Sequence, residues 1–221
     1  MSPPSLSLRL RAWLNRRRRA LVQALLHRIV FGEASGGRWL ASTRIAPSTC
    51  IVGEDALRLA DQVYVGPFCF LEASGGITLD EGVQLTSHVC IVTHASHRSQ
   101  RLLGAAYGQW PAGRPRPGWI AGAVEIGPYA FIGPHTVIEA GSRLGRGCIV
   151  RAGSVVRGVF PDHALIAGNP AVVVGDARDG DAKGLAAHPE LREGYAAWAG
   201  ERPAAQVVAP DDALPSTGGP R

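Results

Sequence analysis

Residues 120–156 read IAGAVEIGPYAFIGPHTVIEAGSRLGRGCIVRAGSVV, and one regularity dominates them. An aliphatic residue recurs at every sixth position: Ile120, Ile126, Ile132, Ile138, Leu144, Val150 and Val156. Four positions after each of the first six stands a small or slender residue: Val124, Ala130, Thr136, Ser142, Cys148 and Ser154. A period of six fits neither a helix nor one long strand. It fits a short strand and a turn, repeated, with the aliphatic always facing inward. Three such hexads close a triangular coil of 18 residues, and coils stack at the ~4.8 Å strand spacing so that each pairs its backbone with the next. The same rhythm runs through Ile45, Ile51, Leu57, Val63 and Cys69, then resumes after a two-residue slip at Ile77, Val83 and Val89. The two blocks supply about five coils, a prism roughly 25 Å tall.

This hexad pattern resembles the left-handed parallel β-helix of the hexapeptide-repeat acyltransferases; the handedness comes from the resemblance alone. The expected fold is therefore all-β, a left-handed β-helix over residues 41–175 with a protruding loop at 95–119. A basic segment at 1–40 precedes it, with an amphipathic helix expected over residues 5–30. An extension at 176–221 follows, with one short helix near 189–198 and a partly disordered tail. The helix could cap the open end of the prism, where strand edges lie bare, rest on anionic lipid, or, being Arg-rich and nearly free of acids, resemble an organellar transit peptide.

Composition narrows the function classes. Of 221 residues, 46% are hydrophobic, enough for a core, while 28 glycines and 16 prolines point to many turns. The net charge of +5 is concentrated at one end: residues 1–40 hold eight arginines and one acid, Glu33, so the rest of the chain is slightly acidic. That distribution argues against a nucleic-acid-binding fold. The four cysteines (Cys50, Cys69, Cys90, Cys148) lack zinc-finger spacing and read as reduced thiols of a cytoplasmic protein.

Chemistry is sought where the repeat breaks. After Val89 the chain reads CIVTHASHR and enters the 25-residue excursion. An imidazole at a coil edge can take a proton from a hydroxyl at neutral pH. The repeat ends with AGSVV, followed a dozen residues later by AGNPA (167–171). These two segments resemble the closing signature of acetyl-CoA-dependent O-acetyltransferases, and THASH resembles their general-base segment; the polysaccharide-modifying branch is most similar. The resemblance implies a homotrimer with active sites in the clefts between prisms. It implies acetyl-CoA along the lower coils, its pantetheine arm near Gly133, Ala152 and Ser154, with Asn169 and Pro170 closing the site. It implies a histidine that deprotonates the acceptor hydroxyl for direct attack on the thioester, with no acyl-enzyme and no metal.

The site residues follow with alternatives open. His97, four after Thr93, is favoured as the base and His94 is the runner-up; Glu72 either orients the imidazole or is a solvated carboxylate. The basic residues expected after AGSVV and AGNPA are replaced by Gly158 and Val172, leaving Arg151 or Arg157 for the CoA phosphates. Loop 95–119, with Arg98, Arg101, Tyr107, Trp110, Arg114 and Arg116, reads as an acceptor lid for an anionic or lipid-linked glycan, or as a subunit contact. A small sugar or an antibiotic is the alternative acceptor. The rival class is a carbonic-anhydrase-type metalloprotein using His88, His94 and His97 across the cleft between subunits, and a non-catalytic scaffold is the third.

Overall fold

A computed structural model describes residues 5–200 of the chain. Its centre is a parallel β-helix of five coils whose strands form three sheets. The first sheet stacks Cys50–Val52, Phe70–Glu72, Cys90–Val92, Val137–Ile138 and Val155–Val156. The second stacks Leu57–Leu59, Ile77–Leu79, Val124–Ile126, Arg143–Leu144 and Val159–Phe160. The third runs from Arg44–Ile45 through Tyr64–Val65, Gln84–Leu85, Phe131–Ile132 and Ile149–Val150 to a closing hairpin, Ala164–Gly168 with Ala171–Asp176. Asn169 and Pro170 of AGNPA make the turn of that hairpin, joined by a cis peptide bond.

The hexad residues form the core as their spacing requires. Ile126, Ile132, Ile138, Leu144, Val150 and Val156 are all buried, as are the slender residues Val124, Ala130, Thr136, Ser142, Cys148 and Ser154. The buried hydroxyls are satisfied by carbonyls at the corners: Thr136 donates to Gly133 O at 2.7 Å and Ser154 to Arg151 O at 2.7 Å. Ile120 is the exception in the series. It lies outside the coils, half-buried in the neck of the excursion, paired with Ala95.

In the lower block the coil is longer than the expected 18 residues. Ile45 pairs with Val65 and then Leu85, and Ile51 with Leu71 and then Ile91, a repeat of 20. The extra residues sit at the corner between the first two sheets, where Gly53 (φ +72°) opens a short 3-10 turn at Glu54–Ala56. The next coil has the same wide corner at 73–76, and that one is the two-residue slip read in the sequence between Cys69 and Ile77. Above it the spacing returns to 18, as Ile132 beneath Val150 and Ile138 beneath Val156 show.

Gly133 marks how tightly coils stack. A Cβ there would lie 2.6 Å from Ala152 N and 2.8 Å from Val150 O, both backbone atoms of the next coil. Neither can step aside without shifting a corner. Gly133→Ala is therefore expected to destabilise the fold by about 1–3 kcal/mol, the usual cost of overpacking, read as a lower denaturant midpoint at unchanged slope.

The N-terminal helix spans Leu6–Leu26, ending before residue 30 because Gly32 and the strand Glu33–Ser35 follow; none of its residues is buried. It does not cap the prism. The lower end is instead flanked by the hairpin Glu33–Ser35/Arg38–Leu40, with Leu40 buried and Ser35 Oγ accepting from Leu59 N at 3.0 Å.

The excursion 95–119 is not irregular. It carries a helix at His97–Leu103 and a 3-10 segment at Gly104–Gln109 on a two-stranded neck, His94–Ala95 against Ile120–Ala121. Residues 184–200 belong to a second compact unit. The helix Arg178–Ala187 runs into it, and the unit holds Pro189–Leu191 (3-10) and Arg192–Ala199, where one short helix was expected near 189–198. The part of the expected tail beyond residue 200 lies outside the described residues.

Candidate active site

The corner between the first and second sheets carries the excursion, and it gathers the candidate catalytic residues. Because the coil here is 20 residues long, Glu72 stacks directly beneath Val92, and the next two residues, Thr93 and His94, close over it. Glu72 is 7% exposed, which for a carboxylate demands partners. It has them: Oε2 accepts from Thr93 N at 3.1 Å and Thr93 Oγ1 at 2.6 Å, and Oε1 from Ser74 N at 3.1 Å. Burial alone would raise its pKa, but these hydrogen bonds, Ser74 and Thr93 side chains first, outweigh it and lower the carboxyl to about 2. Gly75 completes the nest, since a Cβ there would lie 2.9 Å from Thr93 Cβ.

His94 Nδ1 lies 2.8 Å from Glu72 Oε2 and 3.3 Å from Ser74 Oγ. An ionised carboxylate only accepts, so Nδ1 is the donor; in the neutral ring that leaves the lone pair on Nε2. The ring is also held from its face: Trp119 stacks on it at 4.8 Å between centroids and 13° between planes. The neck places that ring, because Ala121 pairs with His94 and Trp119 lies two residues before it. Arg116 lies over Trp119 at 5.6 Å and over Tyr107 at 4.8 Å. His97 opens the excursion helix and is exposed. It shares with His94 a cavity of about 340 Å³, lined also by Ile120, Glu139, Ala140 and Arg157. Arg157 Nε sits 3.9 Å from Glu139 Oε2.

Glu72, His94, His97 and Arg157 thus share one corner of the prism. The other predicted residues lie on a different one. Gly133, Arg151, Ala152 and Ser154 occupy the corner between the third and first sheets, and Asn169 and Pro170 lie above them, with Gly168 N 3.3 Å from Ser154 Oγ. His88 is on this second corner too, stacked on His135 at 4.7 Å, with Phe68 on its other side. Within one chain His88 therefore lies on a different corner from His94 and His97, and among the described residues no three His, Cys, Asp or Glu side chains of a single chain form a metal-binding group; the cross-cleft arrangement of the rival reading involves a second subunit.

Sequence reasoning missed Trp119, Thr93 and Glu139. Trp119 was legible as the aromatic directly before the strands resume. Thr93 was used only to count to the histidines, and nothing in the sequence distinguishes Glu139 from other exposed coil carboxylates.

Comparison with known proteins agrees with the coil geometry. Residues 123–158 match the family described as bacterial transferase hexapeptide (six repeats). A probable acetyltransferase of Mycobacterium tuberculosis (Rv3034c) is 30% identical over 139 residues, 62% of this chain and 42% of that protein. A putative lipopolysaccharide biosynthesis O-acetyl transferase of Escherichia coli, WbbJ, is 28% identical over 55% of this chain and 61% of its own length. The chain thus spans about two fifths to three fifths of these curated relatives. Among solved structures, a hexapeptide-repeat acetyltransferase of Vibrio cholerae crystallised with acetyl coenzyme A is similar in fold, with TM-score 0.51, 20% identity and coverage of 74% of this chain and 78% of that one. That likeness carries the left-handed sense of the coil, which the strand order alone leaves open. The β-helix of this chain is thus similar to hexapeptide-repeat transferases, with the family match confined to residues 123–158.

Proposed function

We propose that this protein is an acetyl-CoA-dependent O-acetyltransferase that acts as a homotrimer on a hydroxyl of a cell-surface glycan or its lipid-linked precursor. The observation that carries the reading is the hydrogen bond from His94 Nδ1 to the buried, ionised Glu72. It fixes one tautomer, as an orienting carboxylate does in other acyl-transfer sites, and leaves Nε2 to accept a proton. The geometry favours His94 over His97 as the base, because His97 has no such orienting partner among the described contacts.

In the reaction the acceptor O–H gives its proton to His94 Nε2 while its oxygen attacks the thioester carbonyl carbon. The tetrahedral species collapses with cleavage of the C–S bond, and the imidazolium returns the proton to the departing CoA thiolate. A thioester is already activated, so one base and good positioning suffice. Arg151 and Arg157, both exposed, suit the CoA phosphates. The donor fits a cytoplasmic protein, and the expected glycan acceptor is in keeping with the E. coli relative, a putative lipopolysaccharide biosynthesis O-acetyl transferase.

A trimer accounts for the split between corners. The general base is on one corner and the proposed pantetheine contacts are on the other, so a cyclic assembly that sets one subunit's first corner against its neighbour's second would complete each site. Calorimetric titration with acetyl-CoA, followed by thiol release in the presence of a glycan acceptor, tests the activity; no binding would overturn it. Subunit mixing tests the assembly. His94→Ala and Ala152→Phe are each expected to be inactive, the second by occupying the proposed pantetheine position beside Gly133. Co-expressed in equal amounts, they should regain about a quarter of wild-type turnover, the statistical share of cyclic interfaces with both corners intact. A site contained within one chain would regain nothing.

A further inference from the structure

The N-terminal helix Leu6–Leu26 presents a surface that the acetyl-transfer reading leaves unused. Among the described residues it buries none of its own side chains. Leu6, Leu10, Trp13, Leu14, Leu21 and Leu25 are all exposed, from 47% for Trp13 to 82% for Leu6. At ~100° per residue these six fall within an arc of about 120°. Arg17 interrupts the stripe, and its guanidinium folds over Trp13 at 5.4 Å. Arg9 and Arg16 flank one edge of the stripe, Arg11 and Arg18 the other. Leu8, Val22 and Leu26 fall off it. An exposed apolar stripe of this length calls for a partner.

We infer that this helix is an interfacial anchor that lays its leucine and tryptophan stripe into an anionic bilayer surface, its arginines meeting the headgroups. Charge selects the occupant. Residues 5–32 contain six helical arginines plus Arg28 and no aspartate or glutamate. A bundle of helices from several copies would bring like charges together with no acid to pair them. An anionic surface rewards each basic residue, and the apolar stripe adds burial that a nucleic-acid phosphate face would not use. The helix is an anchor that lies on the membrane: no helix among the described residues is long and apolar enough to cross one. The backbone leaves the helix at His27, whose ring meets Phe68 at 5.3 Å on the prism corner that carries His88 and His135. The inference rests on no part of the acetyl-transfer reading.

The test is flotation of the full-length protein with vesicles of phosphatidylglycerol and phosphatidylcholine in equal parts, and with phosphatidylcholine alone. Binding is expected to the first and not the second, and to weaken with salt. The variant R16Q/R17Q/R18Q/R19Q should lose about two orders of magnitude or more in affinity. Leu10→Ser/Leu14→Ser/Leu21→Ser should lose binding while its helical circular dichroism and acetyl transfer persist. Equal binding to both vesicles, or to neither, would overturn the inference. So would an unchanged vesicle affinity in the leucine variant accompanied by a smaller assembly, which would make the helix a contact between copies. Tight DNA-duplex binding indifferent to the leucines would assign the face to nucleic acid instead.

Discussion

His94→Ala is expected to lower kcat for acetyl transfer by about 10²–10⁴, the range a positioned general base contributes, with little change in the affinity for acetyl-CoA. His97→Ala is expected to change kcat by only a few-fold and to act mainly on the KM of the acceptor. The two side chains line the same cavity, but only His94 has a carboxylate behind it at 2.8 Å and an indole stacked on its face. Those contacts fix the ring's tautomer and orientation before the acceptor arrives, which is what general-base catalysis needs. His97 stands exposed at the start of a short helix, placed to touch an acceptor rather than to accept its proton. The measurement is steady-state thiol release for each variant across acceptor concentrations. If His97→Ala shows the large loss and His94→Ala the small one, the base is His97 and the Glu72–His94 pair is a structural latch.

How the sequence encodes this site turns on two residues. The hexad rule alone is enough to find the prism, because a mistake by one position would turn an aliphatic out and a polar group in. It also locates the excursion, since the repeat stops at Val89 and resumes at Ile120, one hexad before the coils do at Ile126. Strict hexads, however, give a coil of 18, which would set Glu72 beneath Cys90, on the strand and away from the histidines. The observed coil of 20 sets it beneath Val92, where it meets Thr93 and His94. The slip was visible as a break in phase after Cys69, but a phase break does not say at which corner the extra residues sit. That is decided by Gly53 and by the pair Gly75–Gly76, which allow the wide corner. The Trp119 stack was hidden for a different reason. It depends on the neck pairing His94 with Ala121, a contact between chain ends 27 residues apart that no periodicity signals. The capping expectation for the N-terminal helix failed on similar ground: amphipathicity shows that a face wants cover, and the hairpin Glu33–Ser35/Arg38–Leu40 had already taken the place beside the first coil.

Glu72 is where the fold and the proposed chemistry meet, and its titration gives the second large effect. In the unfolded chain a glutamate ionises near its ordinary value; in the native site, hydrogen bonds from Ser74 and Thr93 overcome the cost of burial and hold Glu72 at about 2. The folded-state pKa is depressed, so the charged form stabilises the protein above the unfolded value, and this contribution is lost as pH falls from about 4.5 toward 2. A depression of that size corresponds to on the order of 3 kcal/mol at neutral pH. Glu72→Gln should therefore be less stable than the parent by up to that amount at pH 7, and the deficit should shrink toward zero near pH 2. Comparing the two proteins isolates the residue from Glu33 and Asp80, which burial raises and which act in the opposite sense. Denaturant midpoints at pH 7, 4 and 2.5 read the difference; a deficit that stays constant with pH would mean that the charge is not what the site stabilises. The same variant probes catalysis through positioning. A glutamine can present its amide to His94 as a donor and so favour the wrong tautomer, lowering kcat while leaving the acetyl-CoA affinity intact. Glu72→Asp, which keeps the charge on a shorter arm, should restore part of the pH-dependent stability and part of kcat together, because one carboxylate serves both the Thr93–Ser74 nest and the His94 ring.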